Sequence, residues 1–155
     1  IENRRRMRDC LLRHAVRKTD ATGSMDKDHS QGAASTEDGE ANVMSLSEND
    51  RMFVEKATDI VLDNISNTDF SIGTLCMEMA MSRTLFYSRL KSLTGRAPQE
   101  FIRIIRLERA AELLKIGGSV VDVSEATGFI NVKYFSTVFK KYFGIQPSRY
   151  AEETD

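Results

Sequence analysis

From Ser47 onward, apolar residues return every three or four places. Phe53, Ala57, Ile60, Val61 and Ile65 mark one helical face, and Ser47 followed by Asp50 is an N-cap arrangement, so a helix is predicted from Ser47 to about Ile65. The polar stretch Ser66-Asn67-Thr68-Asp69 ends it. Ser71 then caps a short helix, Ile72 to Met79, which turns at Ala80-Met81 into a third helix starting at Ser82 and stopped by Gly95. Pro98 suits a first helical turn and opens a helix to about Ile116. Its Phe101, Ile102, Ile104, Ile105, Leu107, Ala110, Ala111, Leu113 and Leu114 occupy much of its girth, which predicts cover on two sides. Gly117-Gly118 terminates it, Ser119 with Asp122 caps a short helix to Thr127, and Gly128 makes the next turn. Asn131 caps a further helix that ends before Gly144, and Pro147 opens a last, frayed one. No strand-type alternation interrupts the series, so the expected class is all-α.

The chain before Ser47 reads differently. In residues 1–18, Ile1, Met7, Leu11, Leu12 and Val16 form a narrow apolar stripe flanked by Arg4, Arg5, Arg6, Arg8, Arg13 and Arg17, the pattern of a helix whose partner lies elsewhere. Residues 19–46 are rich in Gly, Ser, Ala, Thr, Asp and Glu, with too little apolar surface to offset the entropy of ordering, so a flexible acidic linker is expected there. The expected organisation is a basic helix (1–18), a linker (19–46) and one folded domain (47–155).

The folded part repeats itself. Laying the segment from Ser82 on the segment from Asn131, at an offset of 49, puts Leu85 on Tyr134, Phe86 on Phe135, Leu90 on Phe139, Gly95 on Gly144, Pro98 on Pro147 and Phe101 on Tyr150. The short helices before them match at an offset of 48, with Leu75 on Val123 and Ala80 on Gly128. Two copies of short helix, tight turn and longer helix are two helix-turn-helix units, expected at residues 71–95 and 119–144 and joined by a linker helix over 98–116.

Charge changes the picture only once its distribution is considered. The formal net charge is -1, which argues against a polyanionic partner. From Thr19 to Asp50, however, Asp20, Asp26, Asp28, Glu37, Asp38, Glu40, Glu48 and Asp50 face one base, Lys27, and this segment masks positive charge elsewhere. Between Ser82 and Arg96 no acid occurs, and Arg83, Thr84, Tyr87, Ser88, Arg89, Lys91 and Arg96 leave the apolar stripe. From Asn131 to Arg149 there is again no acid, with Lys133, Ser136, Thr137, Lys140, Lys141 and Arg149 off the stripe. A solvated face ordinarily mixes signs; two acid-free faces at equivalent repeat positions point to phosphate. A linker helix of about 19 residues spans about 30 Å at ~1.5 Å per residue. That is near the ~34 Å between successive major grooves on one side of B-DNA, so both units could read neighbouring grooves of one duplex. On this reading Thr84, Tyr87, Ser88, Asn131, Lys133 and Thr137 reach base edges, while Arg83, Arg89, Lys91, Arg96, Lys140 and Lys141 divide between bases and phosphates.

The residues MSRTLFYSRLKSLTGRAPQEFIRIIRLERAAELL, with VSEATGF and YFSTVFKKYFGIQPSRY, resemble the AraC/XylS family of transcription regulators, over about Phe53 to Tyr150. The resemblance implies a seven-helix domain that reads DNA through Ser82 to Leu93 and Val132 to Phe143, with Arg106 and Leu107 acting structurally. This chain has Cys76 and Ser124 where the family commonly has Ala, and Ala80 where many members have a turn Gly. IENRRRMRDCLLRHAV is similar to the closing helix of a response-regulator receiver and its exit. Together with the acidic linker it is similar to the C-terminal end of hybrid two-component sensors, whose upstream part would hold a histidine kinase, and phosphorylation of the receiver would then control the domain.

Other chemistry finds little purchase. Cys10 and Cys76 lack Cys-x-x-Cys spacing and His14 and His29 lack ligand spacing, so neither metal nor other cofactor is expected. No Ser/His/Asp set or phosphate-cradling glycine loop suggests an enzyme. The expected partner is double-stranded DNA at two adjacent major grooves, with RNA polymerase as a further one, a paired full-length protein, and a cytoplasmic location with no membrane contact by this segment, compatible with a parent anchored in the inner membrane. The alternative is an all-α interaction module that docks a signalling partner or RNA polymerase in place of DNA.

Overall fold

A computed structural model describes residues 5–7, 9, 11 and 47–153, and every helix expected after Ser47 is present in it. They are α1 (Glu48–Asp63), α2 (Ile72–Glu78), α3 (Arg83–Thr94), α4 (Pro98–Lys115), α5 (Val120–Ala126), α6 (Val132–Phe143) and α7 (Pro147–Glu153). No strand occurs among the described residues. The expected linker, residues 19–46, lies outside them.

Helix starts follow from side chains that satisfy otherwise orphaned backbone donors. Oγ of Ser47, Ser71, Ser82 and Ser119 accepts from the amide three residues on in each case, at 3.1 to 3.3 Å. Asn131 Oδ1 accepts from Lys133 N at 2.8 Å and Tyr134 N at 3.3 Å. α4 has no side-chain cap and begins on Pro98, whose missing N–H needs none. Helix α1 stops two residues short of the expected Ile65, because Asn64 Nδ2 donates back to the Ile60 carbonyl at 2.8 Å and closes the last turn.

Two cores form, and α4 belongs to both. Phe101, Ile102, Ile104 and Ile105 join Phe53, Val54, Val61, Leu75, Phe86 and Leu90 in the first; Leu107, Ala110, Ala111 and Leu114 join Val123, Phe129, Phe135 and Phe139 in the second. The apolar girth of α4 is thus explained by two different neighbours along its length. Phe86, Phe101, Phe135 and Phe139 are completely buried, and truncating any of them to Ala would cost about 3 to 5 kcal/mol. The last helix, expected to fray, is pinned by Tyr150, whose ring lies 5.4 Å from Phe139 and 5.3 Å from Phe143.

The repeat extends to backbone geometry. Gly95 and Gly144 are left-handed caps of α3 and α6 with φ of 71° and 84°. The turns inside the two units carry Ala80 (φ 55°) and Gly128 (φ 82°) at equivalent places. Ala80 is exposed, whereas a Cβ on Gly128 would lie 2.4 Å from the Ile65 carbonyl oxygen. The first turn therefore tolerates a side chain at the conformational cost of a left-handed residue, and the second cannot.

Candidate nucleic-acid interface

The two longer helices of the repeat, α3 and α6, put their apolar stripes into separate cores and leave polar residues outward. On α3, Phe86, Leu90 and Thr94 are buried while Arg83, Thr84, Tyr87, Ser88 and Lys91 are exposed. On α6, Phe135 and Phe139 are buried; Asn131, Lys133, Thr137, Lys140 and Lys141 are exposed and Ser136 is half-buried. Ser136, Thr137, Lys140 and Lys141 line one shallow groove with Gly144 and Gln146, so the predicted residues of the second unit come together as a basic, hydroxyl-bearing surface.

Several of these side chains have local duties. Lys91 Nζ stands 5.8 Å from the centre of the Tyr87 ring. The Thr137 hydroxyl donates to the Lys133 carbonyl at 2.9 Å, and the Asn131 carbonyl oxygen is engaged in capping α6. Arg83 leans back over α2, where a Cβ on Gly73 would meet its Nη2 at 2.8 Å.

Arg89 and Arg96 stand apart from the exposed set. Arg89 Nη2 reaches Asp50 Oδ1 at 3.4 Å and its guanidinium lies 4.4 Å from the centre of the Phe53 ring, both on α1. Arg96 Nη1 donates to Glu100 Oε1 at 3.0 Å with only 13% of its side chain exposed. Each of these cations has a protein partner beside α3, and Arg89 keeps 37% of its side chain exposed.

The surface between the units contains residues that the repeat did not single out. One groove is lined by Gln99, Ile102, Arg103, Arg106, Asn131 and Tyr134, among others, and a second by Ser71, Gly73, Arg83, Gln99 and Ile102. Gln99 and Ile102 border both. The start of α3, through Arg83, and the start of α6, through Asn131 and Tyr134, therefore open onto the same side of α4. Exposed Arg103 lines the groove beside Asn131 and Tyr134. The sequence signal for Arg103 was its charge within the apolar run of α4, which repeat alignment alone does not weigh.

Among the described residues no group of His, Cys, Asp and Glu is placed to hold a metal. No helix among them is long and apolar enough to cross a membrane. Burial pushes the Cys76 thiol above its ordinary pKa, against a smaller lowering by the Arg83 cation.

Residues 75–153 match the family model described as a helix-turn-helix domain. Over 108 residues the chain is 38% identical to histidine kinase P4 of Formosa agariphila, a match covering 69% of this chain and 8% of that protein. The C-terminal domain of AraT, a response regulator from Geobacillus stearothermophilus, superposes with a TM-score of 0.59 at 26% identity, over 65% of this chain and 84% of that one. The DNA-binding domain of the global transcriptional factor AdpA, solved in complex with a target DNA, gives 0.58 at 28%, over 63% and 88%. The chain belongs to the helix-turn-helix family of AraC/XylS type. It is a DNA-binding transcription-regulator domain.

Proposed function

We propose that this domain reads two successive major grooves on one side of a duplex, α3 entering one and α6 the other, under the control of a phosphorelay receiver that precedes it. The observation that carries the reading is the shared border of Gln99 and Ile102, which turns the starts of both recognition helices to one side of α4. The 18 residues of α4 span about 27 Å at ~1.5 Å each, a length suited to neighbouring grooves.

In this reading Thr84, Tyr87, Ser88, Lys133, Ser136 and Thr137 meet base edges, and Arg83, Lys91, Lys140 and Lys141 meet phosphates. Asn131 fixes the start of α6 and presents its amide nitrogen to the duplex. Arg89 and Arg96 act behind the interface, holding α3 against α1 and the start of α4. Arg103 joins the phosphate contacts.

Control by a receiver is supported by likeness to a protein named as a histidine kinase and to the C-terminal domain of a response regulator. Pairing of full-length protomers, contact with RNA polymerase and a cytoplasmic location complete the proposal. Duplexes selected from a random pool are titrated with the chain at two salt concentrations. A DNA reader loses affinity steeply as salt rises, whereas a module docking through apolar surface barely responds, and that second outcome would refute the reading.

A further inference from the structure

Met7 and Leu11, in the basic stretch read from sequence as a helix without a partner, are 4% and 0% exposed. Residues 5–7, 9 and 11 are helical, which places Met7 and Leu11 on one face, one turn apart. Both belong to the first core, together with Phe53, Val54, Ala57 and Val61 of α1. Arg5 and Arg6 remain exposed.

Helix α1 is also the element that grips the first recognition helix, since Asp50 and Phe53 hold Arg89 of α3. Phe53 is tilted against Phe86 of α3 as well, with ring centres 5.7 Å apart. Leu11 thus shares a core with the buried face of α1, whose Phe53 meets both Arg89 and Phe86 of α3.

We infer that the segment carrying Met7 and Leu11 is a docked control helix of the first helix-turn-helix unit. It seats its apolar pair on α1 and through α1 sets the firmness with which α3 is held for DNA. Its docking site lies against the first core only; the second core, with α6, contains neither residue. The inference deepens the phosphorelay reading by naming the contact through which a preceding domain would act. Its test uses this chain alone, so it can fail while that reading stands, and the reverse.

The test is amide hydrogen exchange on the whole chain, comparing wild type with Leu11→Ala and with Arg6→Ala, a change at an exposed position. Removing the buried side chain of Leu11 leaves a cavity in the first core. Leu11→Ala is expected to speed exchange in α1 and α3 at least tenfold while α6 and α7 change less than twofold, and Arg6→Ala is expected to leave all four within twofold. Affinity for a selected duplex should fall several-fold with Leu11→Ala, with the loss confined to the half-site read by α3. Unchanged protection in α1 and α3, or an equal rise across both cores, would overturn the inference. Should Leu11→Ala prove too unstable to measure, Met7→Leu, which keeps apolar volume, must preserve wild-type protection while Met7→Ala lowers it in α1 and α3 alone; equal behaviour of the two variants would likewise overturn it.

Discussion

The Arg106 guanidinium binds the two halves of the domain together at Gly128: Nη1 donates to the Gly128 carbonyl at 3.3 Å, while Nη2 donates to the Asn67 carbonyl at 3.1 Å. Asn67 lies between α1 and the first unit, and Gly128 is the turn of the second. Arg106 sits on α4 where one core gives way to the other, and burial lowers its pKa from the ordinary value. It stays charged at neutral pH, as guanidinium groups do. The relative placement of the two helix-turn-helix units is thus set by a charged clasp at the middle of the shared helix as well as by the apolar packing at each end.

Replacing Arg106 with Met keeps most of the stem and removes both carbonyl contacts. The expected loss is about 2 kcal/mol, since hydrogen bonds from a charged group contribute more than neutral ones and this one is only half-buried. Denaturant unfolding followed by circular dichroism checks the loss. A broader transition than wild type is expected, because the cores then melt less in step.

The two turns should respond in opposite directions to exchanging their residues. Ala80→Gly removes a left-handed strain at an exposed site and is expected to stabilise by about 0.5 to 1 kcal/mol after the extra flexibility of glycine in the unfolded chain is discounted. Gly128→Ala drives a methyl group into the Ile65 carbonyl and should cost more than about 2 kcal/mol. Thermal midpoints of the two variants, rising for the first and falling for the second, are the check.

Lysines and arginines of α3 and α6 are expected to divide by task. Lys140→Ala and Lys141→Ala should leave the unfolding midpoint unchanged and reduce the slope of log affinity against log salt by about 0.9 for each phosphate contact removed. Arg89→Ala should act on stability, by about 1 kcal/mol, since it gives up a partly exposed ion pair and a cation–ring contact. Its salt slope should stay at the wild-type value. A lowered slope with unchanged stability would place Arg89 among the phosphate contacts.

Cys76 reports on folding through its thiol. Burial favours the neutral form and raises the pKa in the folded state. The associated stability is therefore fully present below the ordinary thiol value of about 8.5 and is lost as pH climbs through the raised folded value. In a Cys10→Ser background, alkylation of Cys76 should be slow at neutral pH and should accelerate only on unfolding. The same chain with Cys76→Ala should lose this part of the alkaline fall in stability.

Caps and turns were legible because each requires a particular residue type at a particular place, so Ser71, Ser82, Ser119, Asn131, Gly95 and Gly144 fixed helix ends to within two residues. The two-sided burial of α4 was legible too, as an apolar run too wide for one neighbour. Partnerships across the chain were not. Nothing in local pattern pairs Arg89 with Asp50, 39 residues earlier, and a cation off the apolar stripe reads the same whether it faces solvent, DNA or a carboxylate. Met7 and Leu11 showed as an apolar stripe, but periodicity gives the direction of a buried face without naming what covers it. The polar face across Gln99 and Arg103 was hidden for a related reason: it is composed from three elements and belongs to no single motif.

The most direct measurement of two readers on one side of a duplex is methylation interference at guanine N7, a major-groove atom, on a selected site bound by the intact chain. Two interference patches about 10 base pairs apart are expected, one weakened selectively by Thr84→Ala with Ser88→Ala and the other by Lys133→Ala with Thr137→Ala. A single patch, or two patches half a helical turn out of phase, would contradict the account.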